Sequence, residues 1–528
     1  MALPQPLHIF RKDLTHLWPE TLFVLALFAG FCFAAPSGWN GSQYAAYVTA
    51  IAWLIRVLMP ISWLVLIARA IQDESLVGDR QFWTSRPYDW ASLMASKAIL
   101  IGSCIYMPFF LMQVYLLHRA GLHPMLAIPS LLHNLLLLTV VIIIPLAAIS
   151  AVTSTFPRVL LAFIGAMLYI LVLLGAVGYT LFMKMQTQHL DWLLNTIFIL
   201  LPAAALIVQY KTRKTMIARA ILAATPIIAV VVFLLMPTNT LLASSYPELR
   251  GDKDPKLNSL SDKFHPNGTP SGTLNVIRGY VTVGLPVEVK GIGQDINFLV
   301  RGTRATITAP GVSYTSPFLN SSPLAPSAQL TADRPIALLS FLVPVEVFDK
   351  IRATPIDLHV DFAAEQLKAE KPSTWHATLL PFSVPGNGIC TFPAENDTNE
   401  PATCRYPLKQ PEISFVSAQL AAGSCENPQS APVTGQANVG SRGSSLDFDP
   451  VVTVPLAFQT GDPDASHKYV LCPGTALNFV EAAPQPNGSL VLDQKQVTLD
   501  PFAARFASKA PRNPSLAPQP QPQVEPQE

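Results

Sequence analysis

The sequence predicts an α-helical polytopic membrane bundle of six or seven transmembrane helices, followed by an all-β, sandwich-like extracytoplasmic region. Three observations carry this prediction. Of the 528 residues 50% are hydrophobic and only 13% charged, with mean hydropathy +0.36, against about 25% charged residues in soluble chains. Long apolar runs follow one another up to about residue 237. Beyond Leu274 the pattern becomes period-two alternation between Pro, Gly and Asn turns. Charge divides the same way: residues 1–240 hold 14 Lys/Arg and 7 Asp/Glu, the remainder 21 and 27. The net +1 is therefore a cancellation, and it excludes a strongly basic nucleic-acid binder; no nucleic acid is expected as a partner.

The first element, residues 1–20, reads as an amphipathic helix on the inner surface, or as a terminal turn of the first span. Phe10, Leu14, Leu17 and Trp18 recur at helical spacing, with Arg11, Lys12 and Asp13 between them. A transmembrane domain fills 21–237. Its seven apolar runs lie near Thr21–Ala35, Tyr47–Ile71, Ala91–Leu117, Pro129–Thr153, Val159–Met183, Leu190–Gln209 and Met216–Met236. Each is long enough, or nearly so, to cross a hydrocarbon layer of about 30 Å. With the N-terminus inside, the inner segments carry Arg11, Lys12, Arg69, Arg80, Arg86, Arg158, Lys211, Arg213, Lys214 and Arg219, and the outer loops only Arg119 and Lys184. That bias sets the orientation and leaves everything after Pro237 outside the cytoplasm. Arg56 lies within the second span, far from either interface, as an intramembrane functional charge or a structural pair; no acidic partner is evident mid-span. Arg69 and Lys97 lie near inner helix ends and are expected to snorkel.

The exported half begins with a linker, 238–272. A sandwich-like domain follows over 273–385 and a second β-rich, disulfide-bonded region over 386–508, divided near 384–388, and a Pro/Gln-rich tail at 509–528 ends the chain. Strands are expected at 275–283, 297–301, 304–308, 336–346, 356–362, 374–381, 451–458, 468–472, 476–480 and 489–498, with one helical turn within 345–367. Cys390, Cys404, Cys425 and Cys472 all fall here, where thiols can oxidise; they are expected as disulfides, with three pairings open, and the alternative is four buried free thiols. Consecutive pairing, 390 with 404 and 425 with 472, closes the shortest loops. The scattered His265, His359, His376 and His467 have no zinc spacing. The carboxylate pairs Asp252/Asp254 and Asp447/Asp449 read as solvated turns. No catalytic or metal-binding residues and no cofactor are assigned, and the chain is not expected to be an enzyme.

The longest inner loop, 72–90, combines Asp73 and Glu74, Gly78, Phe82-Trp83 and Arg86-Pro87, with Lys97 in the helix that follows. This order resembles the loop between the second and third helices of ABC-2-type transporter permeases. The opening Ile9-Phe10-Arg11-Lys12-Asp13-Leu14 and the stretch Gln209–Lys214 are similar to that family too, so the likeness covers roughly residues 1–220. The family core has six spans; a seventh and the large exported half depart from it. The resemblance implies a permease subunit in a bacterial inner membrane, paired as a homodimer or heterodimer and powered by a separate cytoplasmic ABC ATPase. The ATPase would dock at the N-terminal helix and at Glu74, Gly78, Phe82, Trp83, Arg86 and Pro87. The chain has no Gly-Lys dipeptide and hence no phosphate loop of its own. The alternative is a membrane-anchored envelope-binding or assembly protein that does not transport; a membrane-bound enzyme with its site in the β half is the third reading.

Overall fold

The computed structural model describes the chain apart from residues 1–4, 40–44, 74–89, 184–187, 237, 250–254, 260–278, 321–328, 331, 333–334, 377–379, 392–401, 411–413, 421–433, 440–445, 457–475 and 504–528. Its first half is helical. The helices are α1 (Gln5–His16), α2 (Trp18–Ala34), α3 (Ala45–Gln72), α4 (Trp90–Ile101), α5 (Met107–Arg119), α6 (Pro124–Leu138), α7 (Ile144–Val152), α8 (Phe156–Met183), α9 (Gln188–Thr212), α10 (Thr215–Leu235) and α11 (Thr238–Ser245).

Two of the spans are composite. α4 runs into α5 through a π-helical turn at Gly102–Tyr106, and α6 into α7 through another at Thr139–Ile143. Each π turn ends two residues before a proline, Pro108 or Pro145, whose missing N–H and bulky ring break the ordinary ladder. One extra residue per turn absorbs the defect without ending the helix. Among the described residues seven helices are long and apolar enough to span a bilayer, from Trp18–Trp39 through Thr215–Leu235. The chain is a multi-pass membrane protein. α8 presents Leu161, Met167, Leu171 and Val172 outward. In water that stripe would be a large apolar patch; in lipid it is the expected surface.

Antiparallel strands form the second half: β1 (Lys256–Ser259), β2 (Tyr280–Lys290), β3 (Ile296–Ala309), β4 (Val312–Thr315), β5 (Leu319–Asn320), β6 (Gln329–Leu330), β7 (Ile336–Pro344), β8 (Ile356–Ala369), β9 (Ser373–His376), β10 (Phe382–Val384), β11 (Gly388–Thr391), β12 (Ala402–Pro407), β13 (Ser414–Leu420), β14 (Thr434–Val439), β15 (Val451–Leu456), β16 (Ala476–Pro484) and β17 (Gly488–Val497), with one short helix, α12 (Val345–Ile351). A three-stranded sheet, β1-β2-β7, packs on a ten-stranded sheet built around β3, β8 and β16. The inward residues alternate along each strand: Val283, Leu285, Val287 and Val289 face Phe298, Ala305, Ile307, Leu358, Val360 and Phe362 in one buried cluster. This is the period of two read as a sandwich core. A separate four-stranded sheet runs β10-β11-β12-β15.

Two expected boundaries are corrected. The stretch expected to be a linker, 238–272, contains α11 and β1, and β1 is an edge strand paired with β2 from Lys256↔Lys290 to Ser259↔Val287. The division near 384–388 does not separate two modules, because β16 pairs with β8 and β17 runs beside β8 from Gly488↔Ala364 onward. Local alternation marks strands, but it carries no information on which distant strand completes a sheet. The strands expected at 297–301 and 304–308 are one strand, β3, with a register shift between Val300 and Gly302. The helical turn expected within 345–367 is α12; the strand expected at 468–472 lies outside the described residues.

Successive spans alternate in direction, so the bundle has two chemically different ends. One gathers α1, the start of α2, the ends of α3, α7 and α9 and the starts of α8 and α10. The other gathers Trp39, the start of α3, Arg119, the start of α6, α11 and the β half.

Candidate functional site

At the end bearing α1, a stripe of residues four apart, Ile9, Asp13 and Leu17, is buried against the bundle. Asp13 Oδ2 meets Lys97 Nζ of α4 at 2.8 Å, with side chains 3% and 5% exposed. Lys97 therefore does not snorkel. Its ammonium is turned inward by a carboxylate from the amphipathic helix, the one arrangement that makes a buried lysine tolerable. Arg69 forms an ion pair with Glu20, and His16 faces Asp73 at 3.6 Å. Arg219 donates to the Val152 carbonyl at 2.9 and 3.2 Å, closing the end of α7. Trp18 is exposed rather than part of the packed stripe. The loop residues Glu74, Gly78, Phe82, Trp83, Arg86 and Pro87 lie outside the described residues.

At the opposite end, the segment Leu446–Pro450 leaves the β half and enters the bundle. Phe448 stacks on Trp63 of α3, with centroids 5.8 Å apart, and meets Phe109 of α5 edge-on at 5.9 Å. Phe28 of α2 completes the aromatic cluster, 6.0 Å from Trp63 and 6.2 Å from Phe109. Phe109 lies ten residues before Arg119, so the ring reaches about 15 Å of helix into the bundle. Polar groups hold the backbone around it. Gln113 donates to the Asp447 carbonyl at 3.2 Å, and Asn134 both donates to that carbonyl and accepts from the Asp447 N–H at 3.1 Å. The two amides grip the N–H and the C=O of one residue, as a neighbouring strand would. Asp449 accepts from Trp39 Nε1 at 3.0 Å and from the Val451 N–H at 3.0 Å, and its carboxylate lies 3.6 Å from the Arg56 guanidinium.

Arg56 thus has an acidic partner, but one supplied by the β half rather than by another span. It also lies over the Phe31 ring, 5.4 Å from the centroid. Burial is the main cause that raises Asp449 to about 6, against the smaller opposing effects of Trp39, Val451 and Arg56. Asp447 shifts upward for the same leading reason. Three buried atoms around the segment, Arg56 Nε, Trp63 Nε1 and Gln113 Oε1, have no hydrogen-bond partner among the described residues.

The reading of Asp447/Asp449 as a solvated turn is overturned, because the Asp449 carboxylate is buried against Trp39 and Arg56 and the Asp447 backbone is held by Gln113 and Asn134. A signal was present: Phe448 stands between the two acids, and a lone aromatic there points to an anchored loop rather than a solvated one. Gln113 and Asn134, fully buried amides in spans, were the other unused signal. Asp252/Asp254 lie outside the described residues.

Two further contacts join the halves beside this segment. The Gln410 N–H donates to Ser130 Oγ at 3.1 Å, and Ile389 packs at Gly121. Gly121 has φ +81 and a Cβ there would come 2.7 Å from Ile389, so the turn between α5 and α6 needs glycine twice over. The four-stranded sheet that provides these contacts is braced by the Cys390–Cys404 disulfide, across directly paired positions of β11 and β12. Cys425 and Cys472 lie outside the described residues. Among the described residues no cluster of three metal-ligating side chains occurs.

No known family model matches the chain, and no curated protein matches it. Its function therefore rests on its own residues. What the arrangement can do is specific: one end offers a rigidly attached amphipathic helix, and the other a cationic, amide-lined and aromatic cradle holding an acidic peptide segment.

Proposed function

We propose that this chain is the membrane-spanning permease subunit of an ABC-type transporter, working in export and powered by a separate cytoplasmic ATPase. The observation that carries the reading is the buried Asp13–Lys97 pair, which makes α1 one body with α4. A subunit pressing on α1 or on the adjoining 72–90 loop would move the third span directly, rather than a loose peptide. The polar bundle end with α1 also collects Arg11, Lys12, Arg69, Arg158 and Lys211–Arg219, in keeping with a cytoplasmic face. The β half then lies outside, where the Cys390–Cys404 bond is chemically at home. A second permease subunit pairs with this one in the bilayer to complete a path.

The test is co-purification with an ATPase and stimulation of its activity after reconstitution. Glu74→Lys and Arg86→Glu should each weaken both at least fivefold while leaving the folded bundle intact. Unchanged association in both variants would remove the loop from coupling. The second reading, a non-transporting envelope-binding or assembly protein, is favoured by the seating of the β half in the bundle. Failure of the chain to associate with any ATPase would select it.

A further inference from the structure

We propose that the cradle formed by Trp39, Arg56, Gln113 and Asn134 is a binding site for an acidic, aromatic-bearing extended peptide, and that residues 446–451 are a built-in occupant that such a ligand displaces. The inference goes beyond the transport reading, since it concerns what the bundle recognises and holds with or without an ATPase partner.

The seated segment shows which chemistry fits. One carboxylate meets an indole N–H and a guanidinium, the N–H and C=O of one residue are held by two carboxamides, and one aromatic ring enters a three-ring pocket. Here these polar groups turn to the segment rather than to another helix. Gln113 and Asn134 are fully buried, and Trp39 is 5% exposed, so the site is constructed and not a surface accident. The segment also uses it incompletely. Arg56 Nε, Trp63 Nε1 and Gln113 Oε1 remain buried without partners among the described residues, and each unmet group is unfavourable. A ligand with more acceptors and a donor near the ring would satisfy what the chain's own Asp-Phe-Asp leaves over. Residues 446–449 are held by bundle side chains and belong to no strand; only the Leu408 N–H to Pro450 carbonyl bond and the terminal pairing of Val451 with Pro407 tie the segment to the small sheet. It can therefore leave at the cost of one frayed strand end.

The probe is a fluorescently labelled, end-capped hexapeptide of residues 446–451, Leu-Asp-Phe-Asp-Pro-Val, applied to the full chain in detergent. A tethered occupant competes at an effective concentration on the order of millimolar. The wild-type chain should therefore bind the peptide at least tenfold more weakly than a Phe448→Ala/Asp449→Asn chain, in which the occupant has lost its ring and charge. Adding Arg56→Gln to that double variant should lower peptide affinity tenfold or more. Equal binding by wild type and double variant, or indifference to Arg56→Gln, would overturn the proposal. A second measurement needs no variant: hydrogen exchange at the Asp447 and Val451 amides of the wild-type chain should accelerate at least tenfold with millimolar peptide. If both amides keep their protection, the segment is a fixed structural wedge and the proposal fails.

Discussion

At Asp449 a single carboxyl links burial to pH. Its value is about 6 when seated, against about 3.9 when solvated. The seated state therefore holds more protons between these values, and seating strengthens as pH falls through about 6 towards 4. Between pH 7 and pH 5 the seating equilibrium should tighten about tenfold. Asp447, raised in the same direction, adds to the trend, while the Arg56 guanidinium opposes it and is already included in the shift. Exchange rates of the segment's amides measure this directly, and Asp449→Asn should flatten the profile. The Asp13–Lys97 pair behaves differently because both partners are buried. Lys97→Met alone strands a carboxylate and should destabilise the chain by roughly 3–5 kcal/mol, whereas Asp13→Asn combined with Lys97→Met should recover most of that loss. Thermal unfolding in detergent, with proteolysis of α1 as a local readout, distinguishes the two. Neither pairing was legible from sequence. The partners are 84 residues apart in one case and lie in different halves of the chain in the other, and charge alone does not announce its mate.

Among the elements, the spans were legible and the sheets only partly so. Twenty apolar residues in a row have one physical solution in a bilayer, so the seven helices follow from the sequence almost by length alone. The seventh, α10, matters most, because it carries the chain to the end of the bundle where the β half sits. Strands were recognisable by alternation, yet their partners were not. β16 reads the same beside β13 as beside β8, and only the folded chain selects both. The small sheet that docks on the bundle depends on the Cys390–Cys404 link, which closes a loop of 14 residues. Replacing both cysteines by alanine should lower stability by about 2–4 kcal/mol. Because Ile389 lies in that sheet and Gln410 just beyond it, the same variant should also accelerate exchange in the 446–451 segment. Gly388 sits against Tyr406, whose ring would lie 2.2 Å from an added Cβ. Gly388→Ala should therefore disturb the same sheet although it is a one-carbon change, and melting temperature reports it.

As a whole, the molecule is two dissimilar halves, and the 446–450 segment is the part of the β half that enters the bundle. If that seating is what couples them, calorimetry of the intact chain should show a single transition. Arg56→Ala with Phe448→Ala should split it into two, one for the bundle and one for the sandwich. Persistence of a single transition would mean that the contacts through Gln410 and Ile389 suffice. The order of the chain adds a constraint in time. Trp39 and Asp449 are separated by 410 residues and Asn134 and Asp447 by 313. At synthesis rates of about 5–20 residues per second, the helices wait roughly 15–80 s for the residues that fill them. Once Asn134 has been made, Arg56, Gln113 and Asn134 stand in a newly inserted bundle without the residues that fill it. A nascent chain of this design is at its most vulnerable to quality-control proteases after its last span is made, and it matures only when its own far end arrives.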